Sequence, residues 1–206
     1  MTADLDPDTD PLLVFALKEE SCGQFNDYSC LYTGVGKVNA AYGLMHYLAT
    51  HPRPSLLINL GTAGSAVFPP GNIVQCSKFI QRDMDVTPLG VDLYKTPFSD
   101  MPVILEAAGP ILDLPQGICG TGDHFDTAHQ GGTYDVVDME AYALAMICHR
   151  EKIPFLCIKY ISDGADDTAH LAWEDALEQG AKALRAGLES FDRKGPQVFC
   201  KTKGVS

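Results

Sequence analysis

The chain has 206 residues, of which 46% are hydrophobic and 20% charged, and its formal net charge is −12. That length fits one domain that buries a core of its own without staples, expected to span residues 1–206 with 1–10 and 194–206 poorly ordered. Lys and Arg are scattered through an acidic background, which excludes a nucleic-acid or anionic-membrane surface, since both need basic patches.

The acidic opening, with Asp4, Asp6, Asp8 and Asp10, lacks the basic and apolar regions of a signal peptide. It also lacks the Gly and the distant Glu of a calcium loop. No apolar stretch approaches the roughly 20 residues of a membrane span. Cys22, Cys30, Cys76, Cys119, Cys148, Cys157 and Cys200 are odd in number and contain no C-x-x-C pair. A reducing, cytoplasmic compartment is therefore expected rather than a disulfide framework.

Taken in chain order, Leu12 to Leu17 is a short apolar run and predicts a buried strand. Val38 to Ala49 follows with apolar residues at 38, 41, 45 and 48, a helical stripe. Ser55 to Leu60 predicts a second buried strand, and Gly61 to Ser65 a flexible turn after it. Asn72 to Phe79 and Gly117 to Thr121 are further strand candidates. Between them, Arg82 to Pro115 is rich in Pro, Asp and Gly and has little periodicity, the mark of a functional loop region. Asp138 to His149 repeats the helical pattern through Met139, Ala143, Met146 and Ile147. Pro154 to Ile161 predicts a buried strand carrying one lysine, Lys159. The last helix is expected from about His170 to Phe191, with Trp173, Leu177, Leu184, Leu188 and Phe191 on one side. Nearly continuous apolar strands alternating with helices predict a three-layer α/β/α fold around a central mixed sheet.

Gly34-Val35-Gly36-Lys37-Val38-Asn39 fails both phosphate-loop patterns. Asn39 stands at the third Gly of a dinucleotide fingerprint, and Val38 where a Walker loop needs Ser or Thr. No H-E-x-x-H occurs and the His residues show no ligand spacing, so neither metal nor cofactor is expected. His124 and His129 in a loop read as surface residues. The informative groups are carboxylates at strand ends, where ligands of open α/β sheets gather. Asp163 ends the Pro154 strand in Ser162-Asp163-Gly164. It is either a turn cap or, with a pKa raised by the apolar core, a proton donor. Glu140 opens a helix whose dipole favours an ionised carboxylate, and is either a plain helix-start acid or an acceptor for sugar hydroxyls. Glu19 and Glu20 follow the first strand.

Seven segments in register then carry a resemblance that runs from about Leu12 to Leu188. They are Ala16 to Glu20, Thr33 to Ala41, Asn59 to Gly64, Arg82 to Thr87, Thr121 to Phe125, Val137 to Ala141 and Ile161 to Asp163. On them the chain resembles the methylthioadenosine/adenosylhomocysteine nucleosidases of the nucleoside phosphorylase superfamily. The resemblance implies hydrolysis of a purine nucleoside, with Asp163 protonating N7 of the base and Glu20 orienting the attacking water. It implies that Glu140 holds the ribose hydroxyls, Met139 packs on the ribose and Phe125 stacks on the base. Thr62 matches a Ser of the water and sugar region, and Ser162 adjoins the acid. Lys159 stands where the nucleosidases carry an Arg that helps place the water. Asp126 occupies a position that is apolar in those enzymes, beside the base pocket, where an acid accepts from a donor edge. Asn59 replaces the Arg with which phosphorylase relatives bind phosphate, which favours hydrolysis. The stretch between Thr87 and Thr121, which forms the 5′-substituent pocket and part of a homodimer contact in the family, is short here. A futalosine-type hydrolase, a phosphorylase and a catalytically idle nucleoside-binding protein are the alternatives.

Overall fold

The computed structural model describes residues 9–126, 131–164 and 169–194, the side chains of the last segment from 176 to 191. The acidic lead-in through residue 8, His129, the Trp173 side chain and the tail from 195 lie outside the described residues. The strands are β1 (Leu12–Phe15), β2 (Cys30–Tyr32), β3 (Leu57–Gly64), β4 (Ile73–Gln81), β5 (Leu105–Glu106), β6 (Gln116–Thr121), β7 (Val136–Asp138) and β8 (Phe155–Asp163). Among the described residues the α-helices are α1 (Lys18–Ser21), α2 (Lys37–Thr50), α3 (Ala141–Glu151) and α4 (Ala169–Lys194).

The strand period of two splits the apolar residues between two cores. Leu12 and Val14 face α2 and α3, together with Leu57, Phe155 and Cys157. Leu13 and Phe15 face α4, together with Ile58, Leu60, Leu156, Ile158, Leu184 and Leu188. Helices on both faces of a mixed sheet give the expected three layers. The pairing also closes on itself. β3 runs parallel to β8, β8 antiparallel to β4, β4 parallel to β6, β6 parallel to β7, and β7 returns to β3 at Gly64–Val137.

Three expectations are corrected. Gly61 to Gly64 is strand rather than turn, because its backbone pairs with Lys159 to Asp163 of β8. The Asp138 helix starts a turn later, at Ala141, because Val136 to Asp138 is taken by the ladder to β6. In α2 the buried residues are Ala40 and Leu44, while Val38 and Met45 of the predicted stripe are 77% and 44% exposed. The small Ala40 permits close approach to the sheet, and the larger apolar side chains are left outward. Most of Arg82 to Pro115 is irregular, as expected, apart from a 3₁₀ turn at Thr87–Leu89 and the two-residue β5.

The closed ring is pinned from inside by Asp138. Its Oδ2 lies 2.9 Å from Lys159 Nζ and accepts from the Ala141 N–H at 2.9 Å, while Oδ1 accepts from Thr121 Oγ1 at 2.6 Å. One carboxylate thus joins β6, β7, β8 and the start of α3. Burial alone would raise the Asp138 pKa, but the Lys159 charge holds it below the ordinary carboxylate value. Conversely, burial alone would lower Lys159, and the Asp138 carboxylate raises it well above the lysine range. Removing one partner strands the other charge in the core. Lys159→Met should therefore cost about 3–5 kcal/mol in denaturant unfolding, and adding Asp138→Asn should recover most of it. Equal losses for the single and double variants would show that the pair does not pin the ring.

Candidate active site

The C-terminal ends of β1, β3 and β8 and the segments after β4, β6 and β7 enclose a cavity of about 280 Å³. Of the sequence-predicted residues, Glu20, Thr62, Phe125, Asp126, Met139, Glu140, Ser162 and Asp163 all line it. Lys159 does not; its ammonium is engaged behind the wall on Asp138.

Glu20 is buried at the end of α1 and its carboxylate is held on both oxygens. Oε1 accepts from the Thr62 N–H and the Thr62 hydroxyl, each at 2.9 Å. Oε2 accepts from the N–H groups of Ala16 and Leu17, each at 3.1 Å. Four donors match the roughly four lone-pair sites of a carboxylate. Gly61 makes this approach feasible, because a Cβ there would come within 2.9 Å of Oε1. Asn59, on the same strand, is buried, donates to the Val14 carbonyl at 3.1 Å and does not line the cavity.

Asp163 is buried at the last position of β8. Its Oδ2 accepts from Ser162 Oγ at 2.6 Å, and its carbonyl accepts from the Ser65 N–H at 3.1 Å. Glu140 is the N-cap of α3, and its Oε1 accepts from the Gly36 N–H at 2.8 Å. Gly36 adopts φ +94°, a left-handed value suited to glycine, which turns that N–H toward the cavity. The expectation of a readily ionised Glu140 is corrected. Burial, and next the Asp138 charge, push its pKa up to about 8, against the opposing Lys159 charge and the Gly36 N–H.

The loop carrying Gly36 is itself clamped. Lys37 Nζ lies 2.5 Å from Asp83 Oδ1, the Lys37 N–H donates to Asp123 Oδ1 at 2.7 Å, and the Asp123 N–H donates to Asp83 Oδ2 at 2.9 Å. Lys37 therefore fastens the α2 entry to the ends of β4 and β6.

Two further residues, Arg82 and His124, line the cavity without a role that their sequence pattern indicates. Arg82, buried on the cavity wall, reaches Asp126 Oδ2 at 3.5 Å and the His124 ring at 2.6 Å. His124, read as a surface residue, also lines the cavity. Asp138, within the Val137 to Ala141 motif, has a structural role that the motif alone does not reveal. A single lysine inside an apolar strand was the available signal for it, since a buried ammonium requires a buried anion.

A family model for the phosphorylase superfamily matches residues 21–191. The chain belongs to the phosphorylase superfamily. Solved structures share its fold across most of both chains. The Helicobacter pylori MTAN, an Asp-to-Asn variant with 5′-methylthioadenosine in its active site, superposes with a TM-score of 0.81 at 19% identity, covering 91% of this chain and 99% of that one. A futalosine hydrolase variant from the same organism gives 0.78 at 20% identity, covering 91% and 100%. The Streptococcus pneumoniae MTA/SAH nucleosidase in complex with 8-aminoadenine gives 0.75 at 22% identity, covering 89% and 98%.

The raised Glu140 pKa sets a linkage between pH and stability. A carboxyl whose folded pKa lies above its unfolded value stabilises the fold fully below the unfolded value, about 4.5, and loses that contribution as pH climbs to about 8. The stability advantage of the wild type over Glu140→Gln, measured by urea unfolding, should shrink between those limits and level off above. A constant difference across the window would contradict the burial-driven shift.

Proposed function

We propose that the protein hydrolyses the N-glycosidic bond of a purine nucleoside. The observation that carries this reading is the convergence of Glu20, Glu140 and Asp163 on one cavity, three acids in surroundings suited to three roles.

In the proposed reaction, water attacks C1′ of the ribose while the C1′–N9 bond breaks and its electron pair passes into the base. Asp163 delivers a proton to N7, which makes the base a neutral leaving group; such general acid help is worth roughly 10²–10⁴-fold. Glu20 takes the proton of the water. Its lone-pair sites are filled by three backbone N–H groups and one hydroxyl, and the Thr62 hydroxyl is the donor that can rotate away. The nucleophile therefore enters beside Thr62. Glu140 faces the ribose hydroxyls; with its pKa pushed up to about 8 it meets them largely as a neutral carboxyl near pH 7, and the fraction that ionises stabilises positive charge developing on the sugar. Phe125 and Met139 supply apolar contact to base and ribose.

Hydrolysis is favoured over phosphorolysis by the same wall. A phosphate dianion in the position of the water would meet the Glu20 carboxylate, and Asn59, neutral and bound to Val14, offers no guanidinium fork. The sequence resemblance leads first to 5′-methylthioadenosine and S-adenosylhomocysteine as substrates. We also propose a homodimer formed through α2, whose outer face exposes Val38, Tyr42 and Met45 by 77%, 72% and 44%; these lie at helical spacing on one side. A cytoplasmic location agrees with the free cysteines. Among the described residues no helix is long and apolar enough to cross a membrane.

Asp163→Asn should lower kcat for base release by about 100-fold or more while leaving nucleoside affinity within a few fold. Near-normal turnover would remove Asp163 from the proton-donor role. Val38→Asp should halve the mass seen by light scattering, and an unchanged mass would place any self-association elsewhere.

A further inference from the structure

Arg82 and Asp126 form a charged pair on the cavity wall that the proposed chemistry does not use. Arg82 follows β4 and is 8% exposed. Its Nη2 donates to the His124 carbonyl at 2.5 Å and to that of Gly122 at 3.5 Å; Nη1 reaches the His124 ring and Asp126 Oδ2. Its Nε–H is buried with no hydrogen-bond partner among the described residues. Asp126 is held at 3.5 Å from the guanidinium, with 14% of its side chain exposed, and follows directly on Phe125. Both charges border the same cavity as Phe125 and Asp163.

A carboxylate accepts hydrogen bonds and a guanidinium donates them. The six-membered edge of a purine comes in two patterns. A 6-aminopurine presents a lone pair at N1 beside an amino donor at C6. A 6-oxopurine presents an N1–H donor beside a carbonyl acceptor at C6. Opposite a carboxylate the N1 lone pair is repelled and the N1–H is bound. The guanidinium, its Nη groups engaged on Gly122, His124 and Asp126, fixes the carboxylate in place rather than meeting the base itself. Asp163, assigned to N7, takes the imidazole edge and leaves the six-membered edge to the loop that carries Phe125 and Asp126.

We infer that Asp126, held by Arg82, makes this a site for nucleosides of 6-oxopurines in preference to 6-aminopurines. The inference rests on the nucleoside reading and replaces adenine as the preferred base. Sites built to hydrogen-bond one pattern reject the other because buried polar groups are then left unpaired. The Arg82–Asp126 pair also explains how a carboxylate is retained beside an aromatic base platform, since the guanidinium offsets its desolvation.

The test measures binding and turnover separately on the wild type, Asp126→Asn and Asp126→Ile. Calorimetry with free hypoxanthine and free adenine reads base preference; 5′-methylthioinosine and 5′-methylthioadenosine read cleavage. Hypoxanthine should bind the wild type at least about tenfold more tightly than adenine. That preference should fall in Asp126→Asn, which keeps the shape, and vanish in Asp126→Ile. Equal or tighter adenine binding by the wild type would overturn the inference, as would a preference that survives both substitutions. An Asp126-dependent hypoxanthine preference with neither nucleoside cleaved would uphold the base assignment and remove the hydrolase reading. Cleavage of both nucleosides without base preference would do the reverse, and failure of either base to bind would overturn both.

Discussion

The buried ion pair between Lys159 on β8 and Asp138 on β7 is the constraint on which the rest of the molecule depends. Neither charge is tolerable alone in that core, so each fixes the other. Asp138 also takes hydrogen bonds from Thr121 and from the Ala141 N–H. Strand β7, only three residues long, is held in the closed ring by this one side chain as much as by its ladder. The consequence for the site is direct: Met139 and Glu140 follow Asp138 in sequence, so their position on the cavity wall is inherited from it. The same negative charge contributes to the elevated pKa of Glu140, and Lys159 opposes that effect.

A second constraint is the way backbone groups serve the proposed water-activating acid. Glu20 belongs to a helix too short to be stable by itself, and it is retained by N–H donors from the end of β1 and from Thr62 within β3. Side-chain entropy is thus removed before any ligand arrives, the general route by which a site becomes preorganised. Glycine at position 61 is what permits the carboxylate to lie so close to β3. On the opposite wall, Lys37, Asp83 and Asp123 fasten the loop whose Gly36 N–H meets Glu140. The acid assigned to ribose is positioned by a segment distant in sequence, and the acid assigned to water both by its near neighbours Ala16 and Leu17 and by the distant Thr62.

Much of this was legible from the sequence, for identifiable reasons. Continuous apolar runs such as Leu12 to Leu17 and Pro154 to Ile161 announce strands buried on both faces, and the structure divides their alternate residues between two cores. Carboxylates at strand ends announced the wall that Glu20, Glu140 and Asp163 share. What escaped was set by long-range pairing. Gly61 to Gly64 reads as a turn by composition, yet it is strand because β8 lies alongside. Asp138 reads as the start of a helix by periodicity, yet the ladder to β6 claims it. Local propensity carries no information about either partner. Burial likewise overrode the helix dipole at Glu140, and Arg82 sat unremarked in a loop-like segment because only the fold brings it to Asp126.

The measurement that bears most directly on the proposed hydrolysis is the identity of the sugar released from a methylthio-nucleoside with and without inorganic phosphate. If Glu20 activates water as proposed, free methylthioribose should form at the same rate in both conditions. Methylthioribose 1-phosphate, formed only when phosphate is present, would contradict the account and make the Glu20 wall a phosphate site.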